Sequence, residues 1–365
     1  MSAGPAVTVL MPVYNGECHL RPAIESVLTQ AFRDFELLIV DDGSTDATAD
    51  VIRTYDDPRI RLERFDRNRG LSAALNHGVA LANAPLVARQ DADDVSRPER
   101  LDAQMALMRA QPDLVLVGSQ ARKIDDAGCV IGTVNRPLED LSIRWYALFD
   151  NPFIHTAVLV RRDAVQACGG FDPAFDPFSQ DYALWWKVMR RGRVANVPEP
   201  LVDYRVNAGS IMGQLEAAPA AASVAKFDRI MRELALGHLV EAYGDRGLSH
   251  DEAALLAGFV EGIDAAELSR FLEVFSRLAE WYERDHPAVR RDRDFLRTLA
   301  RQYDAIAYRA RPGTRSQAAR VYAHALGRRP ALATPLSWAR LLAITLLGKR
   351  GRVTLARWRT WILSA

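Results

Sequence analysis

The chain has 365 residues, enough for about two domains. Its 47 basic and 46 acidic residues give a formal net charge of +1, which excludes the strongly basic composition typical of general nucleic-acid binding. The cysteines Cys18, Cys129 and Cys168 are odd in number and widely spaced, which argues against a disulfide framework or a zinc site. Because the first residues run into an apolar strand pattern without a charged leader, we expect a cytoplasmic enzyme.

Strand and helix patterns alternate along the first 90 residues of the chain. An apolar strand begins at residue 7 and is expected to stop at Pro12 and the Asn15-Gly16 turn. Further strands are predicted at 35–40, 60–65 and 86–90, with helical patterns between them, including 71–84. This order predicts an α/β fold with a mostly parallel sheet sandwiched by helices. Ligands of such open sheets bind beyond the carboxyl ends of the strands.

The fourth predicted strand ends in an acidic cluster, Asp91, Asp93 and Asp94. Carboxylates this close repel one another unless a positive charge lies nearby. Mg²⁺ and Mn²⁺ take oxygen ligands and often share them with substrate phosphates, so the cluster indicates a divalent metal site. A solvated acidic turn explains the same residues, since short Asp-rich turns are common.

The order of motifs in the N-terminal part resembles family-two glycosyltransferases with the GT-A (Rossmann-like) fold. The motifs are Pro12-Val13-Tyr14-Asn15, Asp41-Asp42-Gly43-Ser44-Thr45-Asp46, Asn68-Arg69-Gly70, Asp91-Ala92-Asp93-Asp94, Asn151-Pro152-Phe153-Ile154-His155, Gly169-Gly170-Phe171-Asp172 and Gln180-Asp181-Tyr182. The resemblance extends to Tyr204-Arg205. It implies an inverting, metal-dependent enzyme that moves a sugar from a nucleotide-diphosphate-sugar donor to an acceptor hydroxyl, in cell-surface glycan or polysaccharide synthesis.

The resemblance also implies roles for individual residues in binding the donor. Asp91 and Asp93 match the DXD pattern, with Asp93 as a ligand of Mg²⁺ or Mn²⁺ and Asp91 acting on the metal, the ribose or a water. Donor contacts are implied for Pro12, Tyr14, Asn15, Asp42, Asn68, Gly70 and Asp91. Asp42 would accept a ring N–H of the base and Tyr14 would stack on it. Turn formation by Asp42 and packing of Tyr14 explain these two residues as well.

Asp181 matches the catalytic base of the family, which would remove the proton of the acceptor hydroxyl. The preceding residue, usually Glu, is Gln180 in this chain. Asp181 is also explained as the opening residue of an amphipathic helix, where a carboxylate favours the helix dipole, and both roles can hold together. Gln180, Trp185 and His155 are candidates for acceptor contacts. His155 lies in a predicted apolar strand and fits a hydrogen-bonded core histidine better than a catalytic group.

At two positions the sequence does not decide whether the residue binds the metal. Relatives often have a His shortly after the Tyr204-Arg205 pair, whereas this chain has Asn207, a weaker ligand. Asp94 is as compatible with capping a helix that begins near Pro98-Glu99-Arg100 as with the metal.

Two other classes of function compete with glycosyl transfer. A sugar-nucleotidyltransferase on a related sheet would need a Gly-rich phosphate loop after the first strand, and the sequence from Pro12 to Gly16 does not supply one. A catalytically inactive nucleotide-sugar-binding module is the other class, and the presence of Asp42, Asp91, Asp93 and Asp181 together argues against it. Fold alone does not choose among these classes, because function depends on the site.

The sequence changes character from residue 213 onward, where strand signals vanish. Helical patterns cover 224–243, 252–259, 265–282, 295–308 and 316–326. We therefore predict a catalytic domain over 1–212 and an all-α domain over 213–365.

The C-terminal segment interleaves aromatic and basic side chains. These residues are Trp338, Lys349, Arg350, Arg352, Arg357, Trp358, Arg359 and Trp361. The pattern is typical of peripheral contact with an anionic membrane surface, here the inner face of the cell membrane, and a lipid-linked glycan would then be a suitable acceptor. Docking against the helical domain explains the segment as well.

We expect the intact protein to co-sediment with anionic liposomes, because each basic residue near such a surface contributes about 1 kcal/mol. Added salt should weaken binding by screening, and truncation after Gly348 should reduce it. Neutral liposomes serve as the control. If the intact protein ignores anionic liposomes and the truncated protein unfolds, the segment belongs to the core of the helical domain.

Overall fold

The computed structural model describes residues 4–206, 222–258, 263–264, 266–311, 320–321 and 323–325. Contacts divide the chain into two compact units, residues 1–230 and 231–365. The sequence prediction put the division at residue 212, in a stretch (207–221) that lies outside the described residues.

A nine-stranded sheet forms the frame of the first unit. Its strands are β1 (Val7–Val13), β2 (Phe35–Asp41), β3 (Ile60–Arg64), β4 (Leu86–Arg89), β5 (Val95–Ser96), β6 (Leu114–Ile124), β7 (Val130–Val134), β8 (Leu159–Arg161) and β9 (Arg193–Arg205). The order is β3-β2-β1-β4-β8-β6-β9-β5, and β7 pairs with β6. Strands β1, β2, β3, β4, β6 and β9 run in one direction, and β5, β7 and β8 run in the other. The prediction of a mostly parallel sheet is confirmed.

Helices cover both faces of this sheet. They are α1 (Leu20–Leu28), α2 (Thr48–Arg53), α3 (Leu71–Leu81), α4 (Arg100–Ala110), α5 (Asp140–Tyr146), α6 (Arg162–Ala167) and α7 (Gln180–Val188). In β1, Val9 and Met11 join a core with residues of α1, α2 and α4, whereas Leu10 joins a core with residues of α3, α5, α6 and α7. Successive side chains of a strand point to opposite faces, so β1 is apolar throughout.

Strand β1 continues through Pro12 to Val13, so the prediction that Pro12 stops it is wrong. It pairs with β2 along its whole length but with β4 only over residues 7–10. Proline has no N–H to donate and is tolerated where a strand lacks a partner on one side. Pro12 therefore lies where β1 has lost its β4 neighbour.

The described residues of the second unit are mainly helical. Its helices are α8 (Ala222–Tyr243), which includes the division between the units, α9 (His250–Ala257), α10 (Leu268–Asp285) and α11 (Arg293–Arg309). Aromatic contacts join α10 to α11, with Phe275 and Tyr303 at a ring-centroid distance of 5.2 Å. A helical C-terminal region is thus confirmed. The expectation that strands vanish is wrong in one detail, since β10 (Ile263–Asp264) pairs in parallel with β11 (Ala310–Arg311).

The predicted membrane-contacting segment, residues 336–363, lies outside the described residues, as does most of the helix predicted over 316–326. Among the helices that are described, none has both the length and the apolar character required to cross a bilayer.

Candidate active site

The loops that follow β1 and β2 are hydrogen-bonded to each other at the carboxyl edge of the sheet. Asn15 Oδ1 accepts the Thr45 N–H at 2.9 Å, and the Asn15 N–H donates to Ser44 Oγ at 2.9 Å. The Gly16 N–H donates to Thr48 Oγ1 at 2.9 Å. Asn15 has a φ of +50°, a left-handed conformation that asparagine adopts more readily than most residues. Asn15 therefore connects the loops that follow β1 and β2, and these two loops form the rim of the candidate site.

Tyr14 lies on this rim with 49% of its surface exposed. Packing in the core, the alternative offered by the sequence, does not explain an aromatic ring in this position. A ring exposed at the carboxyl edge is available to stack on a planar ligand.

Asp42 connects the end of β2 with the loop after β3. Its carboxylate accepts the N–H of Arg69 at 2.7 Å and the N–H of Gly70 at 2.9 Å. Gly70, with a φ of +92°, also donates to Asn68 Oδ1 at 3.1 Å. Burial raises the pKa of Asp42 even though the two N–H groups oppose this shift. Each carboxylate oxygen keeps a lone pair that could accept a ligand N–H.

Asp91 is paired with a buried arginine. Arg89 Nη2 lies 2.5 Å from Asp91 Oδ1, and the Asp91 N–H donates to Thr156 Oγ1 at 3.0 Å. Burial opposes ionisation of Asp91, but the Arg89 guanidinium outweighs it and the pKa of Asp91 is lowered. Asp91 is therefore an anion with one oxygen already engaged.

Asp93 lies beside Asp91 in the same loop. Burial and the negative charge of Asp91 raise the pKa of Asp93 to about 6. The protein thus compensates an ionised Asp93 poorly, and a divalent cation bound there would stabilise it. In the part of the chain that the structure describes, no group of three or more His, Cys, Asp or Glu side chains is placed to hold a metal. An ion at this loop would take one or two carboxylates and complete its shell with phosphate and water, as Mg²⁺ commonly does.

Asp94 is buried and tied to the end of β9. Its Oδ1 accepts the Arg205 N–H at 2.7 Å, and Arg205 Nε donates to the carbonyl oxygen of Asp93 at 2.9 Å. The Arg205 guanidinium also donates to two carbonyls in the turn between β6 and β7. The capping role considered for Asp94 is wrong, since α4 begins at Arg100 without a side-chain cap. Asp94 instead holds the acidic loop against β9. Asn207 lies outside the described residues.

Asp181 lies in the first turn of α7 and is buried. Its Oδ2 accepts from Asn151 Nδ2 at 2.7 Å, and its Oδ1 accepts the Tyr182 N–H at 2.8 Å. The charges of both Asp181 and Asp91 act on His155. The acidic loop and the first turn of α7 therefore lie near the same histidine.

Gln180 and Trp185 are more buried than expected for residues that contact an acceptor, whereas His155 is half-buried. Gln180 is 2% exposed and Trp185 is fully buried in the core, which argues against direct contact between an acceptor and Trp185. His155 lies in a 3₁₀ turn, not in a strand, and its ring centroid is 6.4 Å from that of Trp185. Burial lowers the pKa of His155, so the neutral imidazole is favoured.

These three residues also leave polar atoms without partners. His155 Nε2, Gln180 Oε1 and Trp185 Nε1 are buried and accept or donate no hydrogen bond within the described residues. The prediction of a hydrogen-bonded core histidine therefore fails at one atom of His155, since its Nε2 has no hydrogen-bond partner within the described residues. Buried polar atoms are normally satisfied by protein or ordered water, so these atoms mark an unusual region next to Asp181.

Sequence reasoning missed the role of the two arginines that support the acidic loop. Arg89 is hidden in the apolar pattern of β4, and Arg205 follows the loop by more than 100 residues. The signal for Arg89 was its position two residues before Asp91. The family resemblance includes Arg205, but nothing in the sequence connected it with the acidic loop, because only the pairing of the strands brings it there.

Replacing Asp94 by Ala should lower the free energy of unfolding by about 1–3 kcal/mol, because the buried Arg205 N–H loses its acceptor. Asp94→Asn retains an oxygen of the same shape and should unfold close to the wild type. Urea unfolding followed by circular dichroism measures both. Asp56→Ala, at an exposed aspartate, is the control and should change stability by less than about 0.5 kcal/mol. Equal stability of Asp94→Ala and Asp56→Ala would contradict the role of Asp94.

Comparison with known proteins identifies the family of this chain. The model of glycosyl transferase family 2 matches residues 8–169. The amylovoran biosynthesis glycosyltransferase AmsE of Erwinia amylovora is 32% identical over 210 residues, which cover 56% of this chain and 77% of AmsE. The O-antigen biosynthesis glycosyltransferase WbnJ of Escherichia coli is 31% identical over 210 residues, which cover 55% of this chain and 80% of WbnJ.

The crystal structure of S. aureus TarS 1-349 in complex with UDP-GlcNAc is similar in fold. It superposes with a TM-score of 0.54 at 16% identity, over 93% of this chain and 89% of that chain. The fold, the ordered motifs at the sheet edge and the two relatives agree. The chain belongs to glycosyl transferase family 2 and is a glycosyltransferase with the GT-A fold.

Proposed function

We propose that the enzyme transfers a sugar from a nucleotide-diphosphate-sugar donor to an acceptor hydroxyl with inversion, and that it requires a divalent metal. The observation that carries this proposal is the presence of two separate carboxylate centres near His155. One is the pair Asp91 and Asp93, in which burial and the charge of Asp91 outweigh the nearby arginines and raise the pKa of Asp93. The other is Asp181, which is held by two hydrogen bonds.

The rim formed by the first motifs supports a nucleotide site. Tyr14 offers an exposed ring for stacking on the base. Asp42 offers lone pairs for a ring N–H, and its bonds to the loop that contains Asn68 and Gly70 keep that loop close to the base. Pro12 and Asn15 act through the backbone that places Tyr14. The diphosphate would extend from this rim toward Asp91 and Asp93.

The acidic loop is suited to the charge that develops during transfer. A divalent ion held there by Asp93 and Asp91 would neutralise the departing diphosphate oxygen and orient the leaving group. Arg89 keeps Asp91 ionised, and the bonds of Arg205 to Asp93 and Asp94 keep the loop in place.

Asp181 would act as the general base. Its carboxylate accepts the proton of the acceptor hydroxyl while the acceptor oxygen attacks the anomeric carbon from the face opposite the diphosphate. This single displacement has no covalent intermediate and inverts the anomeric configuration. The names of AmsE and WbnJ refer to amylovoran and O-antigen biosynthesis, which supports a glycan or lipid-linked acceptor.

Binding of a nucleoside diphosphate should depend on Mn²⁺ or Mg²⁺, because Asp93 can bridge to phosphate only through a cation. Asp93→Asn should weaken this binding by at least about tenfold, or 1.4 kcal/mol. Calorimetry with UDP and GDP, with Mn²⁺ and with EDTA, measures the effect. Asp56→Asn is the matched control. Equal affinity in EDTA and in Mn²⁺ would contradict the metal role.

Asp181→Asn should keep donor affinity and lower the transfer rate by about 10²–10⁴, since only the proton acceptor is removed. The measurements are kcat and donor KM for sugar transfer or, with water as acceptor, for donor hydrolysis. NMR of the product should show inversion. A variant that turns over at the wild-type rate would mean that Asp181 only begins α7 and that the base lies elsewhere.

A further inference from the structure

Asp181 has a hydrogen-bond partner that the proposed chemistry does not use. Asn151 Nδ2 donates to Asp181 Oδ2 at 2.7 Å, and 29 residues separate the two in the chain. We propose that Asn151 is a positioning residue that fixes the direction of the Asp181 carboxylate so that it can take the acceptor proton. This inference rests on the proposed role of Asp181 as the base.

A second contact settles the orientation of the Asn151 amide. Asn151 Oδ1 accepts the Phe153 N–H at 3.2 Å, so the NH₂ group must face Asp181. The reversed amide would set its carbonyl oxygen against the carboxylate and its NH₂ group against the Phe153 N–H. Both contacts would then be repulsive. The hydrogen bond therefore runs in one direction, from Asn151 to Asp181.

Asn151 itself is anchored on both sides. Its N–H donates to Asp150 Oδ1 at 2.8 Å, and Asp150 Oδ2 accepts from the Tyr146 hydroxyl at 2.9 Å. On the other side Phe153 is buried in the core, where its ring lies 6.5 Å from the ring of Trp185. Trp185 is one helical turn after Asp181 in α7. The same packing thus holds both partners of the hydrogen bond.

The hydrogen bonds restrict a torsion that is otherwise soft. The terminal torsion of an aspartate is broad, so burial of the side chain alone does not choose the direction of its lone pairs. With Asn151 on Oδ2 and the Tyr182 N–H on Oδ1, rotation of the Asp181 carboxylate would break both bonds. A general base must lie within hydrogen-bond reach of the hydroxyl, and a misplacement of about 1 Å can cost about 100-fold in rate.

The expected result is a loss of turnover without a loss of donor binding. Asn151→Ala removes the donor, and Asn151→Asp keeps the shape but sets a second carboxylate against Asp181. In both variants kcat for hydrolysis of a panel of UDP- and GDP-sugars should fall by at least about tenfold. Donor KM and the affinity for UDP or GDP should stay within about twofold. Asn135→Ala, at an exposed asparagine, is the matched control and should keep the wild-type rate.

A double-mutant cycle separates positioning from a merely structural role. If Asn151 acts through Asp181, Asn151→Ala should cause no further loss in the Asp181→Asn background. The same loss in both backgrounds would overturn the inference, as would a single Asn151→Ala variant with wild-type turnover. If Asp181→Asn itself retains wild-type turnover, the proposed function fails instead. The affinity of Asn151→Asp for UDP or GDP is the check on folding, since an unchanged value shows that the donor site of this variant is intact.

Discussion

The site depends on mutual repulsion among three carboxylates at the end of β4. The Arg89 guanidinium compensates Asp91, whereas Asp94 accepts the Arg205 N–H and its pKa is still raised well above the usual range by burial and by the charge of Asp93. Asp93 also lacks a paired arginine like Arg89, and its pKa rises to about 6. The fold thus supports a loop that is short of positive charge. A cation with phosphate is the simplest way to supply that charge, and it would bind where the sheet also offers Tyr14 and Asp42.

The sequence predicted what depends on local pattern. Apolar runs gave the strands of the parallel half of the sheet, and polar motifs at their carboxyl ends gave the edge at which ligands bind. It could not predict what depends on pairing between distant segments. Arg205 reaches Asp93 only because β9 lies in the same sheet, and Pro12 stays within β1 only because β4 diverges there. The sequence could not decide the place of Trp185, because an aromatic residue one helical turn after Asp181 is compatible with both a core and a ligand site. In the structure Trp185 is buried in the core.

Gln180 shows how the core limits the chemistry of its neighbours. Its side chain is almost fully buried next to Asp181, and its Oε1 has no hydrogen-bond partner within the described residues. A glutamate in this place would put a second carboxylate beside Asp181 without a partner, which costs more free energy than burying a neutral amide. The departure from the usual Glu-Asp pair therefore leaves a single charged carboxylate in the first turn of α7.

Core residues packed against α7 hold its first turn in place. Trp185 packs edge-on against Phe153 and Phe171, and Phe153 continues into the segment that carries Asn151. Aromatic packing is rigid on the scale of a hydrogen bond, so it fixes the distance between Asn151 and Asp181 better than a surface loop would. The Asn-Pro-Phe-Ile-His and Gln-Asp-Tyr motifs are thus two halves of one support. Their far separation in the chain explains why each looked like an isolated signal in the sequence.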